Sequence, residues 1–353
     1  MSVIVLFGGS SDERHVSVAT AQNVVRALGN PLCWFWASHG TVYDVAIEQL
    51  LAHQRPFEAD FEPKRPALWP DLEQAFDTLP VDDPVFFLAL HGGAGEDGTV
   101  QRMMEMRGIP FAGSGSRASA DAFDKGRAKE LVKDRVKVPE SRIAGVSDPE
   151  TIRSSVEVML DRYPRIVLKP LAAGSSRGLF FLDRGGDVDG VVTVVAKLKL
   201  PYIIEQFIKG RELTVGVIDQ GEGPIPLPVI EIEIDPGREF DYQGKYLGHG
   251  TREICPAKIS DEMSRAAQQA AVASHIALGC EGYSRTDIMA ASDGMYFLEL
   301  NTLPGLTTSS LVPQELHAAG IDFREFLEMQ LDLARKRATG VTPASGAAAG
   351  SAR

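Results

Sequence analysis

The stretch Asp287-Ile288-Met289-Ala290-Ala291-Ser292-Asp293-Gly294-Met295-Tyr296-Phe297-Leu298-Glu299-Leu300-Asn301 decides how the chain reads. Two apolar runs flank Ser292-Asp293-Gly294, and a three-residue loop with glycine at its left-handed position is a common hairpin connection. That connection sets Asp287 opposite Glu299. Side chains alternate along a strand, so Glu299 and Asn301 share a face and can converge with their cross-strand neighbour. Two carboxylates and an amide oxygen suit Mg²⁺, which prefers oxygen donors, keeps some water and commonly bridges phosphates. Taken alone, a Glu-x-Asn strand end equally describes acids that face solvent, and the rest of the chain has to decide.

Upstream of the hairpin a long helix is expected over residues 261–278, and downstream another over 323–336. Beyond Arg337 the Ala, Gly, Ser and Thr-rich tail cannot bury enough apolar surface to order itself, so disorder is expected over 337–353. At the other end, Val3-Ile4-Val5-Leu6-Phe7 is a continuous apolar run ending in Gly8-Gly9-Ser10-Ser11 and followed by a helical pattern through Val16, Val24, Val25 and Leu28. This is a buried parallel strand feeding a helix. A second such strand, 85–90, stops at His91-Gly92-Gly93-Ala94-Gly95-Glu96-Asp97-Gly98, after which a helix is expected to Met106. The first 113 residues therefore read as an open α/β sheet, with sites at the C-terminal ends of its strands. Between them, residues 56–84 are rich in Pro and acids and yield only a helix near 71–79.

A second unit opens near Gly113-Ser114-Gly115, with a helix over 124–133 and strands at 166–170 and 179–182 around Gly174-Ser175-Ser176-Arg177-Gly178. Strands at 202–208 and 211–218 follow, giving a further sheet-based layer. The fold class is thus α/β, an open α/β region followed by two sheet-based units, divided at 1–113, 114–208 and 209–336.

Composition describes an ordinary enzyme-sized chain of 353 residues, 44% of them hydrophobic, enough for sizeable cores in two or three domains. A formal net charge of -12 argues against non-specific binding to nucleic acid or anionic membrane, which needs clustered Lys and Arg. Cys33, Cys255 and Cys280 lack both a disulfide framework and zinc-type pairs, which fits a reducing cytoplasm. No basic leader precedes Val3 and no apolar run approaches membrane-spanning length, so neither secretion nor insertion is expected.

The glycine-rich pieces are weak signals one at a time. Gly8-Gly9-Ser10-Ser11 lacks the dinucleotide spacing, and no Gly-Lys-Ser/Thr ending of a P-loop occurs, which counts against a Rossmann dehydrogenase or a P-loop ATPase. The 174–178 loop lets backbone amides approach an anion, although a flexible hairpin tip has the same composition. Lys125 and Lys169 read as phosphate clamps or as solvated surface lysines, and His91 as a ligand-facing or a loop-capping residue.

Taken in order, these pieces resemble the D-alanine-D-alanine ligases of the ATP-grasp superfamily, over nearly the whole chain from Val3 to about Leu333. The resemblance rests on Leu6-Phe7-Gly8-Gly9-Ser10-Ser11-Asp12-Glu13-Arg14, Leu90-His91-Gly92, Gly95-Glu96-Asp97-Gly98-Thr99-Val100-Gln101, Gly113-Ser114-Gly115, Asp124-Lys125, Lys169-Pro170 and Gly174-Ser175-Ser176. It continues through Glu205-Gln206-Phe207-Ile208-Lys209-Gly210-Arg211-Glu212, Tyr242, Lys245-Tyr246, Cys255-Pro256-Ala257, Arg285-Thr286-Asp287, Glu299-Leu300-Asn301-Thr302-Leu303-Pro304-Gly305 and Ser309-Ser310-Leu311-Val312-Pro313.

The resemblance implies three domains, with ATP held between two antiparallel sheets, and a reaction in which a carboxylate of D-alanine takes the γ-phosphate before a second D-alanine attacks the acyl phosphate. It implies that Lys125 and Lys169 contact phosphates with Ser175 and Ser176, that Glu205, Phe207 and Ile208 line the adenine site, and that Glu212 takes the ribose hydroxyls. Asp287, Glu299 and Asn301 would hold Mg²⁺ or Mn²⁺, as two ions. Glu13 and His91 would meet the first substrate, and Ser310 and Leu311 the second. Arg285 and the Gly305 amide would form the oxyanion site, a cation and a donor where charge develops. Lys245 and Tyr246 would lie on a covering loop that excludes water from the acyl phosphate, Ser175 and Tyr246 orienting the attacking amine with Glu13. The family is usually dimeric, so a homodimer making cell-wall precursors in the cytoplasm is expected.

Two departures stand out: His15 where many members have Glu, and Arg177 where a small apolar residue is usual. With the divergent stretch before Pro84 they leave open a relative that joins another amino-acid or hydroxy-acid pair. A nucleotide-binding relative without catalysis is a different class, and the oxyanion arginine speaks against it.

Overall fold

The computed structural model describes residues 2–145, 148–172, 178–234 and 251–339. Ser2–Gly8 is the middle strand of the first sheet, with Ile4 to Phe7 fully buried as an interior parallel strand requires. It pairs in parallel with Leu32–Trp36 on one side and Pro84–Leu88 on the other, and Phe111–Ala112 extends the sheet beyond Pro84–Leu88. Val42–Val45 closes the far edge antiparallel to Leu32–Trp36. Leu32–Trp36 and Val42–Val45 are both absent from the sequence reading, which found no motif in them. Parallel pairing of Leu6 with Leu88 brings the chain after Gly8 beside the chain after Leu88, the two loops singled out above. In the Pro-rich stretch the helix is Leu72–Asp77, started by Asp71, whose Oδ1 accepts from the Gln74 amide at 2.8 Å.

A second, wholly antiparallel sheet runs in the order Ser141–Ala144, Tyr202–Gln206, Arg165–Pro170, Phe180–Asp183. Helices Pro149–Arg162 and Val188–Leu198 cover it, and their apolar faces form with it a core of its own around Val156, Leu168 and Ile204. The third sheet is ordered Thr251–Ile254, Ile230–Ile234, Arg211–Asp219, Tyr283–Ala291, Gly294–Asn301, with Pro224–Pro226 paired to Arg211–Asp219. Leu213, Val215, Val217, Ile288, Phe297 and Leu300 line its buried face against helix Asp261–Ala277. Helix Lys125–Val132 joins that same core through Ala128 and Val132.

The decisive hairpin needs one correction. Ala291 pairs directly with Gly294, so the connection is the two residues Ser292 and Asp293, and Gly294 already belongs to the returning strand. A hairpin so tightened would put Leu298 opposite Asp287 and turn Glu299 into the core. A β-bulge between Phe297 and Glu299 restores the offset, because Ile288 pairs with Phe297 while Asp287 pairs with Glu299. The expected register is therefore present, with the extra residue in the strand instead of the loop.

The last helix, expected to end at 336, runs Phe323–Ala338. Phe326, Leu327, Leu331 and Ala334 pack into the core of the first sheet. Arg337, assigned above to the tail, donates to the carbonyls of Gly113 and Phe111 at 2.9 and 2.8 Å. Residues 340–353 lie outside the described residues. No helix among the described residues is long and apolar enough to cross a membrane.

Candidate active site

Two transverse rows on the third sheet gather residues expected at the site. Thr214, Asp287 and Glu299 are mutual cross-strand partners, and one step along the same face Gly216, Arg285 and Asn301 form the next row. Glu212, two residues before Thr214, shares that face. Strand alternation thus turns Leu213, Val215, Ile288 and Leu300 inward and every proposed metal and oxyanion side chain outward, which is the reason the sequence could be read here.

Within the rows, opposite charges meet. Asp287 accepts from Arg285 Nε at 2.9 Å and Nη2 at 2.8 Å, a two-point contact, and from the Thr214 hydroxyl at 2.6 Å. Lys125, at the start of helix Lys125–Val132 and 7% exposed, places Nζ 3.3 Å from Glu299. A small cleft lined by Glu96, Phe123, Lys125, Glu299, Asn301 and Thr302 opens there. Asn301 Nδ2 is buried and makes no hydrogen bond among the described residues. Among the described residues no three His, Cys, Asp or Glu side chains come together. A cation here would rest on the two carboxylates and the Asn301 amide oxygen, with water and phosphate oxygens completing its shell, a donor set that fits Mg²⁺.

A buried network adjoins this cleft. Glu205, 3% exposed, sits with one oxygen 3.0 Å from Lys129 Nζ and the other 3.0 Å from Lys169 Nζ. Burial pushes its pKa up, but the two lysines outweigh that and hold it below the usual carboxylate value. Lys129 is itself buried, which draws its pKa down to about 8 against the pull of Glu205. Its ammonium also reaches the carbonyls of Phe297 and Leu298 at 3.4 and 3.3 Å, the two carbonyls of the bulge. Lys129 was missed by the sequence reading. Its spacing of one helical turn from Lys125 was the available signal, since i and i+4 share a face. Both Glu205 oxygens are thus engaged by lysines, and its strand is paired on both sides. Phe207 packs edge-on against Phe181 at 5.9 Å, with the Arg165 guanidinium 5.0 Å from its ring, and Ile208 is buried.

On the first sheet, Glu13 begins helix Arg14–Leu28. Gly92, at φ +68, lies so close that a Cβ there would fall 2.6 Å from Glu13 Oε2, so only glycine admits the carboxylate. His91 is buried, its Nε2 2.9 Å from Thr20 Oγ1 and its Nδ1 3.6 Å from Glu96 Oε1. The same helix holds the loop after Gly305, Asn23 donating to the Leu306 carbonyl at 2.8 Å. Ser310 Oγ accepts from the Thr307 amide at 3.0 Å and would lie 2.8 Å from a Cβ on Gly305, and Leu311 opens helix Leu311–Ala318 beside it. Glu13, His91, Gly305, Ser310 and Leu311 are thereby tied to one helix and one loop. The departure at His15 is paired with Asp60, 2.9 Å away, which Arg14 also holds at 2.7 Å, fastening the divergent stretch to the helix. Ser175, Ser176 and Arg177, and Tyr242, Lys245 and Tyr246, lie outside the described residues.

Family models described as D-ala D-ala ligase N-terminus and D-ala D-ala ligase C-terminus match residues 2–114 and 142–332. The chain belongs to the D-ala D-ala ligase family. Among relatives of this ligase, the D-alanine-D-alanine ligase of Nitrosomonas eutropha is 35% identical over 94% of this chain and 96% of its own. That of Leptospira interrogans is 31% identical over 95% and 98%. The solved VanG D-Ala:D-Ser ligase of Enterococcus faecalis superposes on the present ligase with a TM-score of 0.79 at 29% identity, covering 94% of this chain and 99% of that one. The D-alanine-D-alanine ligase of Bacillus anthracis complexed with ATP gives 0.71 at 25% identity, over 96% and 98%.

Proposed function

We propose that this member of the D-ala D-ala ligase family joins two D-alanine molecules at the expense of ATP, releasing ADP and phosphate, for peptidoglycan precursors. The observation that carries the reading is the outward face of the third sheet, where Arg285, Asp287, Glu299 and Asn301 stand together beside Lys125. Family membership, and relatives that bear the name of this activity, support it.

In this reading ATP lies between the second and third sheets, its phosphates met by Lys125 and Lys169 and its ribose by Glu212. Asp287, Glu299 and Asn301 would hold Mg²⁺, which when bound would neutralise phosphate charge. Glu13 takes the ammonium of the first D-alanine, near His91. The carboxylate oxygen of that first D-alanine attacks the γ-phosphorus, the bond to ADP breaks, and an acyl phosphate of D-alanine forms. The amine of the second D-alanine, seated at Ser310 and Leu311, attacks the carbonyl carbon; Arg285 and the Gly305 amide stabilise the oxyanion; phosphate leaves and the amine gives up its proton. The three free cysteines accord with a cytoplasmic enzyme, and we expect a homodimer, to be checked by sedimentation.

Phosphate release from ATP across D- and L-amino acids, singly and in pairs, tests the reading, with products weighed by mass spectrometry. D-alanine alone should suffice. A second reading, D-serine as acceptor, is favoured by the fit to the D-Ala:D-Ser ligase and would appear as a mixed dipeptide preferred over the homodimer. Absence of phosphate release with any D-alanine mixture would sink both.

A further inference from the structure

Glu315 has no part in the reaction as described, yet it is fully buried in helix Leu311–Ala318, the helix that begins at Ser310. Its Oε1 accepts from the Gly216 amide at 2.8 Å, while its Oε2 is buried without a hydrogen bond among the described residues. Buried polar atoms are nearly always bonded, so a half-bonded carboxyl calls for a reason. A missing side chain makes its place: a Cβ on Gly216 would fall 2.5 Å from Oε2. The carboxyl therefore fills the space that residue 216 leaves on the outward face of its strand.

Gly216 is the direct cross-strand partner of Arg285. Directly opposed residues of an antiparallel pair project to one face with Cβ atoms roughly 4.5–5.5 Å apart, so Glu315 stands beside the Arg285 side chain. Burial pushes Glu315 well above the usual carboxylate range, while the Gly216 amide and the Arg285 charge pull it down and Asp287 raises it further. Arg285 meanwhile commits Nε and Nη2 to Asp287.

We propose that Glu315 is a positioning residue for Arg285, a second carboxyl that keeps the guanidinium in place when Asp287 turns to a cation. A guanidinium with one partner follows that partner; with Glu315 in the Gly216 slot it has a second fixed point. Because the same helix carries the Ser310-Leu311 pocket, this carboxyl also sets the spacing between the acceptor amino acid and the oxyanion cation. The proposal rests on the reading of Arg285 given under Proposed function.

The test is a double-mutant cycle read as kcat per folded molecule, with melting temperature and KM for ATP measured alongside. Glu315→Gln keeps an acceptor for the Gly216 amide and should turn over within about threefold of the parent. Glu315→Leu should lose roughly 10- to 100-fold in kcat with KM for ATP nearly unchanged. In an Arg285→Met background the Leu substitution should cost nothing further. Additive losses overturn the proposal, as does a Leu variant with parental kcat. If Arg285→Met alone left kcat intact, the oxyanion reading itself would fall and this proposal with it, an outcome distinct from additivity. Should the Leu variant not fold, Gly216→Ala brings a methyl against Oε2 and should lower kcat with KM for ATP nearly unchanged; parental kcat in that variant overturns the slot geometry.

Discussion

Arg285 and Asp287 neutralise each other across a single intervening residue, which is possible only because strand alternation sends both to one face. Removing the arginine charge should act on the transition state more than on nucleotide binding. Arg285→Met is expected to lower kcat by roughly 10²-fold or more with a smaller change in KM for ATP, the range for one lost oxyanion donor; a mutant altered mainly in KM for ATP would move Arg285 to the nucleotide site. Glu299→Gln removes one of the two carboxylates while keeping shape and should abolish ligation with the circular dichroism spectrum unchanged, whereas an unaltered Mg²⁺ titration of turnover would refute the metal assignment. The placement of both residues on one face was legible because motif and alternation agreed. Lys129 and Glu315 were not, since a lysine on an amphipathic helix and a glutamate after Pro313 read as solvated until the fold buries them.

At the scale of elements, the bulge at Leu298 shows how a register can be foreseen for an incomplete reason. Loop composition suggested one extra residue, and that residue sits in the strand, where Lys129 collects the carbonyls of Phe297 and Leu298. Lys129→Met leaves those carbonyls without their ammonium and Glu205 with Lys169 alone, so it should destabilise by about 1–3 kcal/mol and raise the Mg²⁺ needed for half-maximal turnover. Urea midpoints and Mg²⁺ titrations measure the two effects, and no change in either would detach Lys129 from the site. The last turn of helix Asp261–Ala277 supplies a pH dependence. Burial lowers the pKa of His275, whose Nδ1 lies 2.7 Å from Ser284 Oγ, to about 4 from 6.5. Between those values the unfolded chain binds the proton and the folded one does not, so His275 makes stability rise with pH from about 4 to 6.5, by roughly 3 kcal/mol in all. His275→Gln should flatten that slope in urea unfolding followed across the window; an unchanged slope would assign it to other groups.

At the scale of the whole molecule, long motifs with apolar strands fixed the order of the sheets in advance, while strands such as Val42–Val45 and helices such as Pro149–Arg162 carried no motif and stayed unread. The C-terminal boundary was misjudged because Arg337 looks like tail composition but grips two carbonyls of the first unit. A chain ending at Thr339 should melt as the full chain does, and one ending at Lys336 measurably lower; equal melting temperatures would leave the Arg337 contacts without energetic weight. The cores add a mechanical lesson. One continuous core joins the first sheet to Ile218, Tyr283, Leu306 and Phe326 of the third unit, whereas the second sheet closes a separate core of its own. The molecule is thus built as a vice with one jaw bolted to the bench: Glu13, Arg285, Asp287 and Glu299 belong to the fixed casting, while Lys169 and Glu205 stand on a jaw with a core of its own, so a shift of that jaw would leave the spacing between Glu13 and Arg285 undisturbed.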